Sequence, residues 1–111
     1  MKNWKVCASS RVGTSLQGEF TASYAEVARV FGEAETVDGD KVSTQWTLKS
    51  PGGKVHAIYD YKATNVYEDD LPSVEEFRAE PSYRWHVGAF STAEVQSLKD
   101  YLSEKLGRPV S

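Results

Sequence analysis

The sequence predicts an α+β domain: an antiparallel sheet of four strands, five if the N-terminal run also pairs, with two helices packed on one face in the order β-α-β-β-β-α. Three observations carry this reading. Two strand-like runs, Val42 to Lys49 and Lys54 to Lys62, flank Ser50-Pro51-Gly52-Gly53, a cluster suited to a tight reversal. A turn that short joins antiparallel neighbours, because a parallel pair needs a crossover of about a dozen residues or more. Two Ser-x-x-Glu sequences, at Ser23 and Ser91, each precede an apolar stripe at helical spacing.

Taken in order, Trp4 to Ala8 alternates apolar and polar residues and reads as a short strand or, within residues 1–13, as a flexible arm. Leu16 to Phe20 alternates in the same way and leads into the first helix. There Ser23 and Glu26 form the capping box, and Tyr24, Val27, Ala28 and Phe31 make the apolar stripe. Gly32 stands where a glycine in the left-handed conformation closes a helix. A polar connection with an Asp38-Gly39 turn signal leads to the hairpin.

In the first arm of the hairpin Val42, Thr44, Trp46 and Leu48 fall on one side. In the second arm Val55, Ala57, Tyr59 and Tyr61 face one way, and Lys54, His56, Ile58, Asp60 and Lys62 the other. Apolar residues on both sides of the second arm imply that its second face is also partly covered, by the arm, the acidic loop or another molecule. Residues 63–81 form a long acidic connection with Pro72 and Pro81, interrupted by a helical turn that Ser73 caps and Val74 and Phe77 anchor. Tyr83, Trp85 and Val87 alternate with Arg84 and His86 in a further strand. Val95, Leu98, Leu102 and Leu106 then mark the second helix, and Gly107 and Pro109 end it.

At 111 residues the chain forms a single domain, residues 1–111, with room for one core. Its net charge of −3 argues against direct nucleic-acid binding, which favours basic surfaces. The charge is unevenly placed. Residues 63–81 carry Glu68, Asp69, Asp70, Glu75, Glu76 and Glu80 against Arg78 alone, a balance of −5 that leaves +2 on the remainder. Cys7 is the only cysteine, so no intramolecular disulfide forms and a cytosolic setting is the simplest. The sequence shows no signal-peptide core and no membrane-length apolar run.

No catalytic or cofactor motif emerges. Cys7, His56 and His86 lack the spacing of a nucleophile with an oriented base. On an extended strand His56 and Asp60 lie about 13 Å apart, too far to share an ion, so no metal is expected. Gly52-Gly53 has no phosphate-loop pattern around it, and no cofactor is expected. What remains is a set of aromatic residues beside a localised negative charge, the composition of a protein-binding surface. On that reading Glu68, Asp69, Asp70, Glu75 and Glu76 face a partner with a basic surface, with Tyr61 and Tyr67 as anchors. A competing reading places a small anionic ligand, such as a nucleotide signal, among Tyr59, Lys62, Arg84 and His86. A third makes His56 or His86 a general base.

The spaced residues Leu16-x-Gly18, Tyr24, Phe31-Gly32, Lys41-Val42 with Trp46, Ile58-Tyr59-Asp60-Tyr61-Lys62 and Trp85-His86-Val87-Gly88 resemble a family of short phage-encoded proteins of unknown function. The resemblance spans about residues 14 to 106. It implies phage origin, action in the host cytosol and a non-enzymatic role against host machinery or defence, such as inhibition of a CRISPR effector. It implies no catalytic residues. More locally, Tyr24-Ala25-Glu26-Val27 and Phe31-Gly32-Glu33 before a Trp-bearing hairpin are similar to the helix-hairpin unit of small lipoprotein assembly factors and β-lactamase-inhibitor-like domains. The lipoprotein signal of those proteins is missing here.

Overall fold

The computed structural model describes residues 4–7, 15–35 and 41–111. Among the described residues the elements follow one another as β1 (Lys5–Val6), β2 (Ser15–Ala22), α1 (Tyr24–Phe31), β3 (Gln45–Lys49), β4 (Val55–Tyr59), α2 (Val74–Arg78), β5 (Tyr83–Ala89) and α3 (Thr92–Leu106). The strands form one antiparallel sheet in the order β1-β3-β4-β5-β2. The class is therefore α+β as the sequence predicts, with the N-terminal run pairing as a fifth strand and α2 as a third, short helix. The Asp38-Gly39 turn lies outside the described residues, as does most of the 1–13 arm.

Local chemistry explains the helix boundaries. The Ser23 hydroxyl accepts from the Glu26 amide, and the Glu26 carboxylate accepts from the Ser23 amide, both at 3.0 Å. Ser73 and Glu76 repeat this reciprocal arrangement at α2. At α3 only half of the expected box forms, since Ser91 accepts from the Glu94 amide at 3.4 Å. The Glu94 carboxylate instead reaches the Ser91 hydroxyl and turns towards His56, with Oε2 3.4 Å from the imidazole Nε2. Gly107 closes α3 in the left-handed conformation (φ 70°, ψ 23°). Gly32 closes α1 at φ 85° but ψ −171°, a positive-φ geometry outside the left-handed helical well.

The core lies between the sheet and the α1–α3 layer. Pairing places Trp46 opposite Ile58, Ile58 opposite Val87, Leu48 opposite His56, and Phe20 opposite Trp85. Directly opposed residues share a face, so these side chains form one floor beneath the helices. Val27 from α1 and Val95, Leu98, Tyr101 and Leu102 from α3 complete it. The indoles keep their polar edges satisfied: Trp46 Nε1 donates to the Gly32 carbonyl at 2.8 Å and Trp85 Nε1 to that of Ala22 at 2.9 Å. Gly18 is required by close approach, since a Cβ there would sit 2.7 Å from Val95 Cγ1.

This register corrects the sequence reading of the second hairpin arm. His56 and Ile58 belong to the Trp46 floor, and Val55, Ala57 and Tyr59 face the other way. That other face is covered near β3 by Glu35, which follows α1. The Glu35 carboxylate accepts from Gln45 Nε2 at 2.6 Å and from the Thr47 hydroxyl at 2.9 Å, and Glu35 bridges to Gln45 through the backbone. β3 also starts later than the alternation suggests. Ser43 and Thr44 are held instead by the buried Asp60 carboxylate, which accepts from both their amides at 2.8 and 2.9 Å.

Candidate functional site

Two adjoining groups of side chains gather at the exit of β4. The first is on the face away from the helices, where Tyr59 pairs with His86 and His86 with Glu19. The Tyr59 and His86 rings stack with centroids 5.6 Å apart, and Tyr61 meets His86 edge-on at 5.9 Å. Glu19 lies between two basic side chains, 3.5 Å from His86 Nε2 and 3.4 Å from Arg84 Nε. Arg84 also donates to the Thr21 hydroxyl at 3.1 Å. His86 Nδ1 is buried without a hydrogen-bond partner.

The structure thus unites Tyr59, Arg84 and His86 as the small-ligand reading requires, and it adds Glu19. That carboxylate lies against Arg84 and His86, where an anionic ligand would place its own charge. Lys62 lies elsewhere. Its ammonium is 5.2 Å from the Tyr61 ring centroid and 5.1 Å from that of Tyr67. Glu19 was not legible as a site residue, because it meets His86 only through the β2–β5 register, across most of the chain.

The second group is the start of the acidic loop. The Asn65 amide donates to the Pro72 carbonyl at 2.8 Å, closing residues 65–72 into a compact loop with its ends together. Turn bonds from Tyr67 N to Thr64 O and from Leu71 N to Glu68 O shape its interior. Glu68, Asp69 and Asp70 are exposed at its tip and form no ion pair among the described residues. Tyr61 is 42% exposed and Val66 40%, so apolar surface flanks the carboxylates. Val66 is not among the residues the sequence reading singles out, although an apolar residue inside an acidic connection is itself a signal.

Beyond the loop, α2 anchors the segment. Phe77 is buried and meets Tyr83 at 4.8 Å and Trp85 at 5.6 Å between ring centroids. Arg78, the one base among the acids, turns inward: its Nε donates to the Thr44 hydroxyl at 3.1 Å and its guanidinium covers the Tyr24 ring at 4.7 Å. The outer surface of the segment is left to its acids. Glu75 is exposed, whereas the exposed Glu76 carboxylate already caps α2, and the Ser73 amide holds it below its usual acidity range.

His56 is sealed in the interior. Its Nδ1 lies 3.0 Å from the Lys54 carbonyl and the Trp4 ring closes over it edge-on at 4.8 Å. Its Nε2 is within ion-pair distance of Glu94 but not aligned for a hydrogen bond. Among the described residues no group of three His, Cys, Asp or Glu side chains is placed to hold a metal ion, and no helix is long and apolar enough to cross a membrane. No protein-family model and no curated protein matches the chain.

Proposed function

We propose that the chain is a phage accessory protein that acts by stoichiometric binding to a host protein or nucleoprotein complex with a basic surface, as an inhibitor of a defence system such as a CRISPR effector. The observation that carries the binding mode is the loop at residues 65–72. Three carboxylates that pair with no base among the described residues project beside partly exposed Tyr61 and Val66, on an acidic segment (63–81) whose one base is turned into the protein. Aromatic anchors within a charged rim are what a specific protein contact requires, and complementary charge speeds the encounter. The phage setting, the host cytosol and the defence target rest on the sequence resemblance.

The test is a titration of a purified RNA-guided nuclease complex with this protein. Cleavage should fall linearly and end near one inhibitor per complex, which separates binding from catalytic inactivation. Asp69→Lys together with Asp70→Lys should abolish inhibition at moderate salt and flatten its dependence on ionic strength. Undiminished inhibition by that double variant rules out the loop as the contact. The small-ligand reading is favoured only by the Tyr59–His86 stack and is opposed by Glu19. Calorimetry against cyclic nucleotides decides it, and Glu19→Gln should strengthen any such binding.

A further inference from the structure

Lys62 occupies a setting that its sequence does not explain. It is the only non-glycine residue with positive φ among those described, at 55°, in a conformation that disfavours a Cβ. Its amide donates to the Lys41 carbonyl at 2.7 Å, which fixes the bend. The side chain then runs between two tyrosines, with Nζ 5.2 Å from one ring centroid and 5.1 Å from the other. Lys62 forms no ion pair among the described residues, although Glu68, Asp69 and Asp70 follow within a few positions of Tyr67. Among the described residues the cation meets the two ring faces and no carboxylate, and the nearby carboxylates form no ion pair.

We infer that Tyr61 and Tyr67 form a cation clamp for an arginine side chain of the partner, and that Lys62 is its internal stand-in. This rests on the binding mode proposed above and names the chemistry of its anchor. An ammonium is compact and strongly hydrated, so it gains little from a half-exposed aromatic site. A guanidinium is planar, more weakly hydrated and stacks on ring faces. Arginine therefore replaces lysine with a net gain. On displacement, the Lys62 ammonium is freed towards solvent and the loop carboxylates, while those carboxylates meet the remaining positive charge of the incoming surface. The arrangement selects arginine over lysine and keeps the rings apart when no partner is bound.

The clamp can be tested without the partner. Acetyl-Gly-Arg-Gly-amide is titrated into the full chain while the tyrosine ring resonances are followed by NMR, with the neutral citrulline peptide as control. Saturable shifts are expected at Tyr61 and Tyr67 with the arginine peptide and none with citrulline, and the Lys62 side-chain protons should lose their ring-current shift. Lys62→Gly suits the positive φ and empties the site, so it should tighten peptide binding about two- to fivefold. Lys5→Gln removes the same charge on β1, away from the two rings, and should leave affinity nearly unchanged. Tyr67→Ala should weaken binding by a similar factor.

Absence of saturable shifts at the two rings, or binding by Lys62→Gly no tighter than that of Lys5→Gln, overturns the clamp. Failure of the nuclease titration with a positive peptide titration removes the proposed target and leaves the clamp standing.

Discussion

At the scale of single residues, the best-defined electrostatic contact joins the first helix to the C-terminal tail. Arg108 donates to both oxygens of Glu26, from Nε and Nη2, each at 2.7 Å. This pairing, aided by the Ser23 amide, lowers the Glu26 carboxyl to about 2 from 4.5. A depressed carboxyl contributes stability above its unfolded value and loses it as pH falls. The contribution is fully present above pH 4.5 and gone near pH 2. Since the pair is partly exposed, solvent screening limits it to about 1 kcal/mol. Glu26→Gln keeps the cap geometry, so urea unfolding should show a loss of that size near neutral pH, narrowing below 4.5 and vanishing near 2.

At the scale of elements, Gly18 and Val95 show how tightly β2 and α3 meet. Gly18→Ala should destabilise the fold by about 1–3 kcal/mol through overpacking. Adding Val95→Ala should recover part of that loss, and thermal unfolding of the four combinations measures the coupling. Elements of this kind were legible in the sequence wherever one local rule decided them. Ser23 caps its helix where Glu26 three residues on predicts it, Ser73 caps the helical turn read there, and Pro51-Gly52-Gly53 turns the chain. Contacts set by pairing across long stretches were not legible. β4 carries His56 and Ile58 on one side and Val55, Ala57 and Tyr59 on the other, and neither pattern alone says which faces the helices. The choice is made by Trp46 and Val87, which pair with Ile58 from either side. Glu94 departs from its expected cap, and its carboxylate lies near His56 Nε2 and Lys54 Nζ, both remote in sequence.

At the scale of the whole molecule, negative charge is concentrated on a segment held to the core by the Phe77 ring and the inward-turned Arg78. Phe77 is the buried residue of α2, and α2 is too short to be helical unaided. Phe77→Ala should therefore cost about 3–5 kcal/mol globally, or loosen residues 74–80 alone if opening that segment costs less. Hydrogen exchange distinguishes the two, with fast exchange confined to those amides in the second case. Either way, partner binding should fall although every carboxylate at the loop tip is retained. Asp69→Lys and Asp70→Lys should do the reverse, weakening binding while changing stability by less than about 0.5 kcal/mol, because both side chains are solvated. On the proposed binding mode the acids would provide the interaction, and Phe77 helps set where they are presented.

The paired indoles of the core have an optical consequence. Trp46 and Trp85 lie 5.3 Å apart between ring centroids with their planes at 75°, a geometry in which the transition dipoles of two identical chromophores couple. The folded protein should show a two-signed circular-dichroism couplet from the strong far-UV indole transition, superposed on the helix and strand signals. Trp46→Phe or Trp85→Phe should each abolish it while leaving the amide spectrum nearly intact. Because the effect falls steeply with separation, a collapsed chain with native secondary structure but loose packing would lack it. The couplet thus tests, in a single spectrum, whether a variant of the loop or the clamp has kept the floor beneath its helices.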